Sequence, residues 1–501
     1  MGVIAEHLSR VLAAGGGHAA IEFEGQAMSW DALVHSSTAL RGVLDDGGVG
    51  DDVAIGLLGR NRLEPVAAFI AALAGDRGLV LINAIRPAGL VAEELSELRL
   101  GCVIGAPDDF SAAILSTLRG IGTLALAAVV ADGILRFQPL TTIGAGPFRA
   151  RAPGVLIEIQ TSGTTGKPKR IPVLERTMAA SLKDGVRRAG GTVDQQALEL
   201  KRSPTLMFSP LVHTSGTFNT LMAIFEVRPV VLFEKFDAAQ YRDAVVRYRP
   251  KFAPLPPTAL KMLVDSDATR EELSSIIAVR AGTAPLSVDL QTVFEDKFGI
   301  PVLITYGATE FMGAVASWSL EDHRRYAQAK RGSVGRANTG CELRVIDPVS
   351  GTPLPTGEQG ILEARLDRID GGGAWIRTTD LARLDEDGFL FIEGRADDAI
   401  IRGGFKVMAG KVSDVLKQAP GVYDAIVLGL PDERLGEVPV AALEPYPDNA
   451  LDEAALKAFC KERLSPYEVP VRFVIVDRLP RTVSDKISRP EARKLFDAIA
   501  A

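Results

Sequence analysis

The strongest constraint on the fold is an alternation in which short apolar runs are separated by longer stretches with helical periodicity. Val53–Leu58, Leu79–Ile82, Val155–Ile159, Thr205–Phe208 and Val230–Phe233 are continuous enough in apolar character to be strands covered on both faces. Two of the intervening segments carry a helix start signal, Ser29 before Trp30–Asp31 and Asp237 before 238–247. In each, a side-chain oxygen is placed to accept from an orphan N–H of the first turn. The pattern predicts an α/β fold, partly parallel, with helices on the sheet faces.

A chain of 501 residues exceeds what one core usually serves, so more than one domain is expected. Gly371–Gly373 marks a loop, and from about residue 376 the texture changes to close turns and short strands. Asp385–Glu386–Asp387–Gly388 reads as a hairpin turn between Leu381–Leu384 and Phe389–Ile392. After Arg395, Gly403–Gly404, Pro420–Gly421 and Pro466 punctuate a compact stretch. The expected division is a large N-terminal region of packed sheets and helices, 1–395, followed by a small α+β domain, 396–501.

Composition narrows the function classes. Hydrophobic residues make up 47% and charged residues 24%, and the net charge of −7 comes with scattered arginine and lysine, which disfavours a nucleic-acid partner. Cys102, Cys341 and Cys460 are widely separated and odd in number, so neither a disulfide framework nor a CxxC zinc site is expected. The run Val66–Ala74 is cut by Gly75, Asp76 and Arg77, short of the roughly 20 residues a membrane helix needs. The N-terminal residues lack the basic start and apolar core of a signal peptide, so a cytoplasmic protein with no transmembrane segment is expected.

The segment Thr161–Ser162–Gly163–Thr164–Thr165–Gly166–Lys167–Pro168–Lys169 directly follows a strand candidate. Its hydroxyls and backbone N–H groups can donate to phosphate, glycine permits close approach, and lysine supplies charge. It lacks the GxxxxGK[ST] spacing of a Walker loop. The string Tyr306–Gly307–Ala308–Thr309–Glu310 sets an aromatic face, a glycine turn, a hydroxyl and a carboxylate within one short stretch. His213 lies between apolar Leu211–Val212 and small Thr214–Ser215–Gly216, a composition suited to the floor of an acyl pocket.

In chain order, these segments together with Phe208–His213, Ala281–Ser287, Arg377–Asp380, Gly394–Asp398 and Pro480–Thr482 with Lys486 resemble the motifs of the adenylate-forming superfamily. That superfamily includes acyl- and aryl-CoA synthetases, peptide-synthetase adenylation domains and firefly luciferase, and the resemblance spans essentially the whole chain. It implies an ATP-dependent acyl-CoA synthetase: a carboxylate attacks the α-phosphate of Mg-ATP, and a thiol, that of coenzyme A, then takes the acyl group from the adenylate. The active site is expected between the two domains.

The resemblance assigns Thr161, Ser162, Gly163, Thr164, Thr165 and Lys169 to phosphate, Gly282, Thr283, Ala284 and Pro285 to the wall beside adenine, and Gly307 to the nucleotide site. Tyr306 packs on adenine, Thr309 contacts the α-phosphate, and Glu310 holds Mg²⁺, an ion that prefers oxygen ligands. Asp380 and Arg395 bind ribose; His213, Ser215, Gly216 and Phe311, with Thr214, Phe218 and Met312, face the acid. Lys486 is the catalytic cation, carried on a mobile C-terminal domain that turns about Asp397, and Gly403–Gly404 faces the thiol tunnel.

Four positions depart from the family pattern. Thr379 and Asp485 stand where glycine is usual, Ile376 where an aromatic is common, and Ser413 where glutamate is usual. A free-standing ligase that loads a carrier-protein thiol would carry nearly the same motifs, and a homodimer stays open. Amino-acid adenylation is disfavoured because no aspartate lies near His213, and a non-catalytic adenylate sensor is disfavoured because Lys486 and Glu310 are both retained.

Overall fold

The computed structural model describes residues 2–161, 169–188, 198–308, 311–369, 372–403, 405–482 and 486–497. Contacts divide the chain into two compact units. The first comprises Met1–Thr283, Leu290–Leu303 and Gly307–Ala314; the second comprises Ala284–Asp289, Ile304–Tyr306 and Val315–Ala501.

The first unit is built on a seven-stranded sheet. Its order is Ile134–Pro139, Leu124–Ala131, Cys102–Gly105, Ile55–Gly59, Leu79–Asn83, Val155–Thr161 and Lys169–Leu174. The five inner strands are parallel and each edge strand is antiparallel. Every residue of Ile55–Gly59 and Leu79–Asn83 is buried, which is why the sequence shows continuous apolar runs there and no alternation. Helix Leu63–Ala74 lies in the same core with all its residues except Glu64 buried. Each of its leucine, isoleucine, valine and phenylalanine side chains contributes about 1.5–3 kcal/mol by leaving water. A second sheet of this unit joins Thr205–Met207, Val230–Leu232, Ala19–Phe23 and Gln26–Ser29.

The observed strands start and stop within two residues of the five apolar runs. Both helix starts hold as well: Ser29 accepts from the Ala32 N–H, and Asp237 from the Gln240 N–H at 2.9 Å.

The second unit carries an antiparallel sheet of Cys341–Ile346, Gly360–Leu366, Ile376–Leu384 and Leu390–Arg395. Its last turn is the expected hairpin, in which Asp385 Oδ1 accepts from the Asp387 and Phe389 N–H groups and Gly388 takes φ 77°. A further sheet orders Phe405–Met408, Ala399–Arg402, Gly436–Pro445 and Val422–Asp432, with Arg472–Ile475 beside Gly436–Pro445. Residues from Ile400 onward bury their own clusters, one around Val412, Leu416 and Leu443 and one around Leu428, Ala442 and Phe496. Among the described residues no helix is long and apolar enough to cross a membrane.

Candidate active site

In the second unit the ends of two paired strands define a polar corner. Asp380, in strand Ile376–Leu384, is the register partner of Arg395, the last residue of Leu390–Arg395. The Tyr306 phenol donates to Asp380 Oδ2, so the aromatic ring and the carboxylate are held as one piece. Arg395 Nη2 donates to Thr379 Oγ1 at 2.8 Å. Below them, Thr378 Oγ1 donates to the Leu362 carbonyl at 2.8 Å and accepts from the Asp380 N–H at 3.0 Å, which fixes the backbone of Asp380. Gly394 takes φ 142°, and a Cβ there would strike Met408 Cε.

Lys486 belongs to the same unit. The Thr482 N–H donates to the Lys486 carbonyl at 2.6 Å, Thr482 Oγ1 accepts from the Lys486 N–H at 3.2 Å, and Arg481 pairs antiparallel with Ile487. Arg481 Nη2 in turn meets Asp424 at 2.8 Å and Glu444 at 3.3 Å. Lys486 is exposed by surface area, yet enough protein surrounds its ammonium for desolvation to lower its pKa below the ordinary lysine value, and repulsion from Arg395 lowers it further. That repulsion ties the lysine electrostatically to the corner of Asp380 and Arg395.

Asp397 lies in the 3₁₀ turn Ala396–Asp398 that directly follows Arg395, and the next carboxylate, Asp398, meets Arg489 at 3.3 Å. Gly403 has φ 57° and donates its N–H to the Leu435 carbonyl at 2.7 Å, whereas Gly404 lies outside the described residues. Ser413 is buried: its Oγ donates to the Ala409 carbonyl and accepts from the Val427 N–H, both at 2.9 Å, stitching helix Ala409–Lys417 to strand Val422–Asp432.

In the first unit, strands Val155–Thr161 and Lys169–Leu174 pair antiparallel with Thr161 opposite Lys169. The backbones at the two ends of the Thr161–Lys169 stretch are thus brought side by side; Ser162, Gly163, Thr164 and Thr165 lie outside the described residues. One pair earlier, Gln160 and Arg170 both reach Glu94, which Arg86 also meets at 2.6 Å. The turn expected at Tyr306–Gly307 is instead part of strand Val302–Ala308. Glycine is needed there because a Cβ on Gly307 would strike the Gly313 carbonyl and Ala314. Thr309 and Glu310 lie outside the described residues.

Thr283 follows strand Ala278–Ala281 and Gly282 with φ 71°, a left-handed conformation that is costly for a β-branched residue and concentrates at functional positions. Ala284 and Pro285 continue from it. His213 is half-buried and occupies the N-cap position of helix Thr214–Phe225, which carries Ser215 and Gly216; Phe311 is 1% exposed and Met312 has φ 49°. Among the described residues no group of three or more His, Cys, Asp or Glu could hold a metal ion.

Residues 8–366 match the family described as AMP-binding enzyme, and residues 411–486 match the AMP-binding enzyme C-terminal domain. The chain belongs to the AMP-binding enzyme family. It is 31% identical over 343 residues to a 4-coumarate–CoA ligase-like 5 protein of Oryza sativa subsp. japonica, a match covering 66% of this chain and 60% of the rice protein. It is 28% identical over 503 residues to an indoleacetate–CoA ligase of Aromatoleum aromaticum, covering 96% and 95% of the two chains. The ATP-bound structure of MatB from Rhodopseudomonas palustris superposes with a TM-score of 0.80 over 100% of both chains, and at 23% identity that likeness shows the fold.

Two contributors escaped the sequence reading. Thr379 stood out only as a departure, and its bond to Arg395 pairs residues sixteen apart in sequence. Arg481 was visible only as part of a motif, since its partners Asp424 and Glu444 are distant in the chain.

Proposed function

We propose that the chain is an AMP-forming ligase that activates a carboxylic acid with ATP and transfers the acyl group to coenzyme A. The observation that carries this reading is the corner in which Tyr306, Thr379, Asp380 and Arg395 are bonded together within electrostatic range of Lys486. A ring, a carboxylate and a guanidinium suit a nucleoside, since the carboxylate accepts from ribose hydroxyls and the guanidinium donates. The names of the rice and Aromatoleum relatives support coenzyme A as the thiol.

In the first half-reaction a carboxylate oxygen attacks the α-phosphorus and the bond to pyrophosphate breaks. Negative charge builds on the transferring phosphoryl group and its leaving group, and the Lys486 ammonium is the cation assigned to it. In the second, the thiol sulfur attacks the acyl carbonyl and AMP leaves. Mg²⁺ held by Glu310 belongs to this reading, as do a cytoplasmic location and a domain boundary after residue 395 with Asp397 as pivot. Two arrangements around one site let a single cation serve adenylation and then withdraw.

The decisive experiment is acid-dependent exchange of labelled pyrophosphate into ATP over a panel of carboxylic acids, followed by AMP release with and without coenzyme A. Exchange with some acids, and AMP release that depends on coenzyme A, is the expected result. No exchange with any acid would overturn the ligase reading, and exchange without transfer to coenzyme A would move the acceptor to a carrier-protein thiol.

A further inference from the structure

The first unit also holds a polar clamp centred on Asn61, a residue remote in sequence from every motif above. Strand Ile55–Gly59 ends in Arg60–Asn61–Arg62, and Asn61 is only 4% exposed. Its Nδ2 donates to the Ser209 carbonyl at 2.9 Å and to the Phe233 carbonyl at 3.4 Å, and its Oδ1 accepts from the Leu211 N–H at 2.8 Å. Backbone N–H groups only donate and carbonyls only accept, so these partners leave one orientation for the amide. The flanking residues grip the same region: a Cβ on Gly59 would strike Val212 Cγ1, and Arg62 meets Glu234 at 3.0 Å.

The turn that Asn61 holds is gripped from its other side by helix Thr214–Phe225. Thr217 Oγ1 donates to the Leu211 carbonyl at 2.6 Å, and Gly216 lies so close to the Pro210 carbonyl that no Cβ fits. The His213 N–H donates to the Pro210 carbonyl at 2.9 Å, and the Thr217 N–H to the His213 carbonyl at 2.9 Å. His213 therefore leaves a turn in which the Ser209, Pro210 and Leu211 carbonyls and the Leu211 N–H each have a named partner.

We infer that Asn61 is a positioning residue for the carboxylic-acid substrate, acting through the turn Ser209–Leu211 on His213 and the first turn of the helix behind it. This rests on the ligase reading, in which His213 and Ser215 face the acid. Asn61→Asp keeps the shape but replaces the Nδ2 donor with an oxygen facing two carbonyls. A buried acceptor left without a donor, or set against another acceptor, forces the turn to shift. The nucleotide corner is built from other residues and does not depend on the clamp.

The test uses the full chain and pyrophosphate exchange over the acid panel. Wild-type exchange comes first: its absence removes the ligase reading, and this inference with it. With exchange established, Asn61→Asp is expected to raise the KM for the acid about tenfold, to leave the KM for ATP within about twofold, and to reorder the panel. An unchanged acid KM and panel order, or equal rises in both KM values, would overturn the inference while the ligase reading stands. Should Asn61→Asp fail to melt cooperatively, Thr217→Val removes the opposing grip on Leu211 with matched shape. The same selective rise is then expected, and its absence is equally fatal.

Discussion

Thr379 offers the sharpest test of the nucleotide corner, because the family pattern and the structure of this chain point in opposite directions. Glycine is usual at this position, which would make the hydroxyl dispensable; here it accepts a 2.8 Å hydrogen bond from Arg395 Nη2. Thr379→Val deletes the acceptor and keeps the β-branched shape suited to strand Ile376–Leu384. A hydrogen bond to a charged group contributes about 1.5–3 kcal/mol when shielded. Both side chains are exposed, so solvent screening brings the figure to about 0.5–1 kcal/mol. If the bond serves to hold the guanidinium ready for ribose, the KM for ATP should rise about twofold to fivefold. The KM values for acid and coenzyme A should not move, and stability should change by no more than about 1 kcal/mol. Pyrophosphate exchange at varied ATP, with a thermal melt alongside, reads both quantities. An unchanged or lower KM for ATP would mean that Thr379 competes with the nucleotide for Arg395, and the preorganisation argument would be wrong.

Lys486→Ala should lower adenylation by about a hundredfold or more while thioester formation from a supplied acyl-adenylate continues; equal loss in both would remove the lysine from its role. Because desolvation and then Arg395 lower the Lys486 pKa, the alkaline fall in wild-type adenylation should come below the ordinary lysine value of about 10.4, as a pH–rate profile would show. Asp397→Pro should keep pyrophosphate exchange and slow thioester formation if two backbone arrangements at that residue are needed; a well-folded variant running both steps normally refutes the pivot. Burial pushes the Asp109 carboxyl up to about 6, and Arg60 Nε, although 2.6 Å away, is not aligned to hydrogen-bond it. The folded state then holds a proton that the unfolded state has lost between about pH 4 and pH 6, so this group's contribution to stability falls as pH rises through that window. Melting from pH 7 down to pH 5 should therefore favour wild type progressively over Asp109→Asn, and parallel melting curves would contradict the assignment.

The strands could be read from the sequence because their residues are apolar without interruption, and the helix starts because Ser29 and Asp237 act on their own first turns. Motif order pointed to the AMP-binding enzyme family for the same local reason. What stayed hidden depends on partners brought together by the fold. Gly307 looked like a turn residue, but it sits in a strand where the backbone of 313–314 comes too close for a side chain. Ser413 looked like the loss of a glutamate, and it is a buried stitch between a helix and a strand. Asn61 gave no local signal, because its partner Ser209 lies 148 residues away.

The three cysteines, Cys102, Cys341 and Cys460, are all buried, and burial raises the pKa of the Cys102 and Cys460 thiols. Thiolate is the species that reacts with maleimides, so these positions should be slow to label in the native protein. The chain is thus close to a natural blank for site-specific dye attachment. One cysteine introduced on the exposed surface before residue 395 and another after it would be the fast-reacting pair. Energy transfer between dyes at such positions would test whether the proposed pivot turns during turnover, without first stripping the native thiols from the core.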